Sequence, residues 1–219
     1  MPSAMATAHV VKQGEHLSQI AKRYGFRDYR TVWEHADNAA LRKTRPSPNV
    51  LLPGDVVQIP TKQLGRVPRA TGASHRFQVS GQRLLLRLAL RDFDDEPVVD
   101  TECELQIDGR KIPLKTDARG RIEVPITPDT QEGTLVFKDP TVPFDVTVPI
   151  KIGHLDPVTA RSGQEMRLSN LGYITRPVEE IDATVFAHAV QEFQCDYDLA
   201  VTGVCDAATQ AKLKERHGS

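Results

Sequence analysis

The chain contains few of the residues that mark several functional classes. Aromatic residues make up 5% of its 219 positions, which gives no indication of a platform for stacking nucleic-acid bases. The 28 Lys and Arg residues nearly balance the 29 Asp and Glu residues, so the formal net charge is −1. This balance argues against electrostatic binding of nucleic acid. The apolar runs are too short to predict a membrane-spanning helix.

Cysteine is also scarce. Because the chain has only Cys103, Cys195 and Cys205, it lacks both a disulfide framework and the spacing of a zinc site. Cys195 and Cys205 flank one predicted turn, and we predict that both are buried free thiols; a bridge between them after export is the alternative. Residues 1–8 lack the basic and apolar regions of a secretory signal. We therefore expect a protein that is cytoplasmic at synthesis and does not use the general secretory pathway.

The sequence lacks recognisable catalytic constellations as well. The seven histidines are scattered over the whole chain, unlike the clustered ligands of a zinc enzyme. Cys103 lies in a predicted strand without a cysteine-peptidase motif. No glycine-rich phosphate loop or dinucleotide-binding fingerprint occurs. We therefore expect a non-enzymatic protein with no metal ion and no cofactor.

Turn-rich stretches divide the chain into three predicted segments. Residues 61–74 combine glycine, proline and a few basic residues without a sustained period, which predicts a linker. A second break lies at residues 153–157. The predicted domains are residues 9–60, 75–152 and 162–215, each near the lower size limit of a domain. The predicted fold class is multidomain α+β.

The first segment has the pattern of a small β-α-α-β unit. After a short β-favouring run, apolar residues recur at helical spacing from Leu17 to Tyr24, and Gly25 follows where a left-handed cap is expected. A second helix is predicted over residues 29–38. Pro53-Gly54 is typical of a type II turn, and it precedes a predicted strand over residues 56–60.

This segment resembles the LysM module, a βααβ domain that binds glycans containing N-acetylglucosamine. The resemblance rests on Val11, Gly14, Leu17-Ser18-Gln19-Ile20-Ala21, Tyr24-Gly25, Asn38 and the ending Asn49 to Pro60. It implies a groove between two loops. The residues of these loops are Gly14, Glu15, His16 and Leu17, and Asn49, Val50, Leu51 and Leu52.

Two alternatives stay open for the first loop. The family usually has Asp-Thr or Asp-Ser where this chain has Glu15-His16, and these residues cap a helix less well. His16 is therefore interpreted either as a glycan contact or as a solvated residue of the first helical turn. Gly14 is explained by turn geometry, by glycan binding or by both.

The middle segment changes to a period of two. Residues 84–90, 122–126 and 144–150 alternate as half-buried strands do, and Asp108-Gly109 is a strong hairpin signal. About six or seven short strands predict a small antiparallel β-sandwich over residues 75–152. Five prolines are predicted at sheet edges or strand starts: Pro97, Pro113, Pro125, Pro143 and Pro149.

The run DGRKIPLKTDARGRIEVPI, residues 108–126, resembles Ig-like and carboxypeptidase-regulatory-like sandwiches. The resemblance implies a spacer or a protein-contact module. The acidic turn at residues 92–100 lacks the spacing of a calcium loop, so we expect a solvated connection there.

The last segment returns to helical spacing. Leu171-Gly172 is predicted to close a first helix, a second is predicted to begin near Asp182, and Asp206 is a predicted N-cap for a third over residues 207–215. The segment resembles the peptidoglycan-binding-domain-1 family over residues 162–215. The resemblance rests on Leu171-Gly172-Tyr173, Ala189 to Gln194, Thr202 to Thr209, and Leu213.

Together these resemblances imply a non-catalytic protein whose partner is the glycan strand of peptidoglycan. The order of the modules also resembles proteins that accompany type VI secretion spikes or phage-tail-like contractile systems. That placement implies secretion-spike or effector proteins as further partners, and export to the periplasm or to a target cell. The competing interpretation is a cytoplasmic adaptor that loads an effector onto a secretion spike through protein contacts.

Overall fold

The structure is a computed structural model, and it describes residues 7–62, 68–76, 84–92, 94–138 and 145–219. The chain divides into two compact units. The first comprises the described residues of Met1–Asn49 and Pro53–Gly153, and the second comprises Val50–Leu52 and His154–Ser219. Residues 63–67 of the predicted linker and residues 77–83, 93 and 139–144 of the predicted sandwich, including Pro143, lie outside the described residues.

The first part of the first unit contains a two-stranded sheet and short helices. Strand β1 (Thr7–Val10) pairs antiparallel with β2 (Val56–Ile59), so the two ends of this segment lie side by side. Helix α1 (Leu17–Arg23) buries the face that its spacing predicts, and Gly25 follows it with a φ of 77°. Helices α2 (Arg30–Trp33) and α3 (Ala39–Thr44) follow α1 in the chain and precede β2.

The prediction of one helix over residues 29–38 is wrong in its extent. Helix α2 ends at Trp33, the backbone at His35 is extended, and a 3₁₀ turn at Ala36–Asn38 leads into α3. The guanidinium of Arg42 donates hydrogen bonds to the carbonyls of Trp33 and His35. These carbonyls therefore accept hydrogen bonds from a side chain of the following helix. In a continuous helix they would have accepted from backbone N–H groups of the same helix.

The second part of the first unit consists of two antiparallel sheets on one hydrophobic core, as in a β-sandwich. The two-stranded sheet pairs β3 (Leu84–Ala89) with β6 (Arg121–Ile126). The four-stranded sheet has the order β5 (Arg110–Lys115), β4 (Glu102–Ile107), β7 (Glu132–Lys138), β8 (Asp145–Lys151). The buried core residues are Cys103, Leu105, Ile107, Ile122, Val124, Ile126 and Leu135.

The hairpin predicted at Asp108-Gly109 is confirmed. Both residues have positive φ, 49° and 71°, which is the geometry of a type I′ turn, and Ile107 pairs with Arg110 across it. The prolines of the described strands lie on β5, β6 and β8, each at the edge of its sheet. An edge position tolerates proline because one backbone N–H is not needed for pairing.

The second unit contains three α-helices, α4 (Arg161–Asn170), α5 (Ala183–Asp196) and α6 (Ala207–His217). The carboxylates of Asp182 and Asp206 cap α5 and α6 by accepting hydrogen bonds from first-turn N–H groups. The unit has its own core, formed by Leu168, Ile174, Phe186, Ala189, Val190, Phe193, Cys205 and Leu213. Across the described ranges, no helix is long and apolar enough to cross a membrane.

All three cysteines are free thiols. Cys205 is buried, as predicted, and burial raises its pKa to about 11. Cys103 is buried as well. The prediction is wrong for Cys195, which is exposed on α5. Its neighbours Phe193 and Gln194 face the core, so the next residue turns outward at about 100° per residue.

Candidate functional site

The first predicted glycan loop lies in the interior of the first unit. Gly14, Glu15, His16 and Leu17 are all buried, and His16 exposes 4% of its surface. Part of the cover is Gly153, where an added Cβ would lie 2.7 Å from the carbonyl oxygen of Gly14. The alternative of a solvated His16 is therefore wrong. A glycan would reach these four residues only if the cover moved away.

Glu15 holds this loop against strand β1. Its carboxylate accepts hydrogen bonds from His9 Nε2 at 2.8 Å and from the Lys12 backbone N–H at 3.0 Å, and it also pairs with Arg23. Burial raises the pKa of Glu15, but the hydrogen bonds from His9, Lys12 and Arg23 outweigh it and leave the pKa below its usual range. Both carboxylate oxygens are thus engaged inside the protein.

His16 occupies the N-cap position of α1 without capping it through its side chain. Neither ring nitrogen has a hydrogen-bond partner among the described residues. Burial lowers the pKa of His16, while the nearby Pro128 backbone and the Asp129 carboxylate oppose this shift. Burial therefore favours the neutral form of the ring.

The second predicted loop is more accessible. Asn49 is exposed, Val50 and Leu52 are half-buried, and Leu51 is buried. Asn49 belongs to the first unit and Val50–Leu52 to the second. The glycan groove between the two loops stays a prediction.

Asn38, one of the residues that carry the LysM resemblance, is buried and ties α2 to β2. Its side-chain amide donates to the carbonyls of Val32 at 2.8 Å and Gln58 at 2.7 Å, and its oxygen accepts from the Gln58 N–H at 2.8 Å. This residue has a structural role in the first unit.

In the second unit, buried Gln194 organises the connection between α5 and α6. Its side-chain oxygen accepts from the N–H groups of Thr202 at 2.8 Å and Gly203 at 3.0 Å. Its amide nitrogen donates to the Val204 carbonyl at 3.0 Å and to the Thr209 hydroxyl at 2.9 Å. A single interior side chain therefore fixes the loop that the sequence motif marked.

A polar and aromatic surface lies near this loop. The hydroxyl of Tyr173 donates to Asp196 Oδ2 at 2.8 Å, and Arg216 Nε donates to the Tyr197 hydroxyl at 3.2 Å. The guanidinium of Arg216 lies 5.0 Å from the centre of the Tyr197 ring, and the ammonium of Lys212 lies 5.8 Å from it. We call these five residues the tyrosine face.

The tyrosine face rests on the core of the second unit. Tyr173 and Tyr197 both contact the buried Phe193 ring, at centroid distances of 5.4 and 4.7 Å. Burial, followed by the hydrogen bond to Asp196, raises the pKa of Tyr173. Its phenol is therefore a neutral hydrogen-bond donor at ordinary pH, and its ring has a fixed position.

Residues 164–213 match the family described as "Putative peptidoglycan binding domain". The match lies entirely within the second unit and includes Gln194, its loop and most of the tyrosine face. Among curated proteins and among solved structures, no match to the chain is found. The resemblance seen at the C-terminal segment is thus supported by the family match.

Sequence reasoning also missed two titratable side chains of the second unit, Arg167 and His217. Arg167 is 2% exposed, and its guanidinium donates to the carbonyls of Asp156 at 2.8 Å and Gly163 at 2.7 Å. Burial lowers the pKa of Arg167 to about 10, with Asp156 opposing. Burial, together with the charge of Arg167, lowers the pKa of His217 to about 4.

The tyrosine face was missed for a different reason. Tyr197 lies well before Lys212 and Arg216 in the sequence, and no motif links it to them. The helical spacing of Lys212 and Arg216 was the one available signal. In the parts of the chain that the structure describes, no group of three His, Cys, Asp or Glu side chains could hold a metal ion.

Proposed function

We propose that the protein binds peptidoglycan without cleaving it. The observation that carries this proposal is the family match over residues 164–213. It is supported by the second unit itself, because the matched residues form a helical module with its own hydrophobic core. Cell-wall binding is the function to which the family match points.

The tyrosine face is our proposed contact surface in this unit. Peptidoglycan presents hydroxyl and amide groups on its sugars and carboxylates on its peptides. Phenol hydroxyls and the cations of Lys212 and Arg216 match these groups, and fixed aromatic rings add contact area at low entropic cost.

We propose that the first segment supplies a second, LysM-like glycan contact. Its support is the sequence resemblance together with the exposed position of Asn49. Two weak sites on one chain raise the effective concentration of the second contact once the first has formed, provided that both can reach the polymer.

We further propose that the protein is an accessory or delivered component of a type VI or phage-tail-like contractile system. The order of the modules supports this placement. The adaptor alternative is favoured by one observation, the burial of Gly14 to Leu17 against other parts of the first unit, since a covered glycan loop is expected if this segment serves as a scaffold.

Co-sedimentation of the full chain with purified insoluble peptidoglycan tests the proposed function. We expect the protein to pellet with intact peptidoglycan and to remain soluble when the polymer has first been digested by a muramidase. Arg216→Gln should lower the pelleted fraction several-fold, while Lys214→Gln, an exposed neighbour on α6, should not. No pelleting of the full chain would contradict wall binding and favour the adaptor.

Zymography on embedded peptidoglycan tests the non-catalytic part separately. We expect no clearing at the position of the protein. Clearing by purified full-length protein would contradict this part of the proposal while leaving wall binding intact.

A further inference from the structure

The first unit contains an open pocket of about 720 Å³ that the predicted glycan groove does not explain. One side is formed by α1 and the residues that follow it, and the other by strand β3 and Pro128. Its volume lies in the usual range for small-ligand sites, about 300 to 1,000 Å³. Its lining also includes Asn49, the first-unit residue of the second predicted loop, and Ser18, which follows the first predicted loop in the chain.

The charge of this pocket has a single sign. Four of its lining residues are cations, Lys22, Arg27, Arg30 and Arg87, and none of the described lining residues is acidic. Lys22 forms an ion pair with Asp129, and Arg87 pairs with Glu123 at 2.7 Å. A cleft lined by one sign of charge concentrates ligands of the opposite sign.

Arg27 and Arg30 are the two pocket cations without such a partner. Both are exposed, and neither guanidinium forms an ion pair with a described residue. The N–H fork of an arginine matches a carboxylate in a bidentate geometry. The unpaired cations therefore favour an anionic ligand with carboxylate-like geometry.

A second pocket of the first unit provides a contrast. The pocket on the four-stranded sheet has a volume of about 860 Å³, but its lining mixes carboxylates with two lysines. Those lysines are neutralised, since Lys111 pairs with Glu104 at 3.3 Å and Lys115 pairs with Asp100 at 3.2 Å. Among its described lining residues, the larger pocket therefore offers an anionic ligand no cation that lacks a carboxylate partner.

The cationic pocket also has apolar walls. Phe26, Tyr29, Leu84 and Leu85 line it beside the arginines. Apolar walls with a few charged groups suit a ligand that combines an apolar surface with carboxylates. A sugar bearing a short peptide has this composition, whereas an oligomer of N-acetylglucosamine is neutral.

We propose that this pocket binds the stem-peptide carboxylates of peptidoglycan. The inference rests on the proposed function, and it assigns to the first unit a selectivity for peptide-bearing wall over neutral glycan. Arg27 and Arg30 hold the carboxylate, and the aromatic rings contact the attached sugar or peptide.

Calorimetric titration of the full chain with three soluble ligands tests the inference. The ligands are a disaccharide-tetrapeptide muropeptide, the same muropeptide with its carboxylates converted to carboxamides, and tetra-N-acetylchitotetraose. We expect the carboxylate form to bind about tenfold more tightly than the other two at low salt, and this preference to shrink as salt is added.

The double variant Arg27→Gln/Arg30→Gln should reduce that preference to about twofold or less while leaving affinity for chitotetraose unchanged. A matched variant, Lys43→Gln/Lys151→Gln, removes two exposed cations of the same unit outside the pocket and should keep the preference. Equal thermal midpoints for the two variants establish that both are folded.

Equal affinity of the natural protein for the acid and amide ligands would overturn the inference, as would an equal loss in both double variants. Co-sedimentation with insoluble peptidoglycan separates this failure from that of the proposed function. Pelleting without carboxylate selectivity refutes the pocket alone, whereas absence of pelleting refutes peptidoglycan binding.

Discussion

Several polar residues that a motif search would assign to recognition are buried and structural. Glu15 uses its carboxylate to hold β1 and α1 together, and Gln194 uses both ends of its amide to hold the α5–α6 connection. A buried hydrogen bond adds modestly to the free energy of unfolding, but removing one partner and leaving the other buried and unpaired lowers it by more. At the residue scale, these side chains determine whether the loops have a defined shape.

Gln194→Leu should lower the free energy of unfolding of the second unit by about 2 to 3 kcal/mol, because the N–H groups of Thr202 and Gly203 lose their acceptor. Denaturant-dependent hydrogen exchange of the α5 amides measures this change. Gln191→Leu, at an exposed position of the same helix, should change the value by less than about 0.5 kcal/mol. Equal effects of the two variants would show that the Gln194 hydrogen bonds are not stabilising.

His217 should make the stability of the second unit depend on pH. Its pKa is about 4 in the folded protein and is 6.5 for an ordinary histidine, so the unfolded chain binds the proton first as the pH falls. The free energy of unfolding therefore decreases as the pH falls from about 6.5 to about 4, by at most about 3.4 kcal/mol.

His217→Gln should remove most of this dependence, whereas His188→Gln, at an exposed position on α5, should preserve it. The measurement is hydrogen exchange of α5 amides, corrected for intrinsic rates, at a series of pH values. A slope that is the same in both variants would contradict the lowered pKa of His217.

At the scale of elements, the sequence pattern was enough to predict those elements whose structure depends on residues close together in the chain. Asp108-Gly109 predicted its hairpin because the turn geometry depends on those two residues, and the spacing from Leu17 to Tyr24 predicted α1. The end of α2 could not be predicted, because it depends on hydrogen bonds from Arg42, a residue of the next helix.

The candidate site depends even more on residues that are distant in the chain, so less of it could be predicted from the sequence. The residues of the first loop could be named from the LysM resemblance, but their burial depends on Pro128, Asp129 and Gly153, more than 100 positions away. The basic residues at positions 22–30 were visible in the sequence. Their role in a pocket was not, because strand β3 completes it.

Gly153→Ala should destabilise the first unit by about 2 to 3 kcal/mol, since the residue has a φ of 81° and its Cβ would press on the Gly14 carbonyl. Gly54→Ala is the matched control, with a φ of 94° and open space at its Cβ, and it should cost about 1 kcal/mol. Denaturation followed by fluorescence of Trp33, the one tryptophan, compares them. Equal destabilisation by the two variants would show that Gly153 does not pack closely on the first predicted loop.

At the scale of the whole molecule, two compact units divide the proposed functions. The second unit contains the residues that match the peptidoglycan-binding family, and the first contains the cationic pocket. If both units contact the wall, the affinity of the full chain for the polymer should exceed that of either contact alone through effective concentration.

The central claim is that the matched domain binds peptidoglycan, and hydrogen–deuterium exchange of the full chain tests it most directly. Exchange is measured with and without soluble peptidoglycan fragments at saturating concentration. We expect slower exchange within residues 164–213, strongest around the tyrosine face, because bound ligand protects the amides that it covers or stabilises. Unchanged exchange throughout residues 164–213, with fragments present at saturation, would contradict the claim.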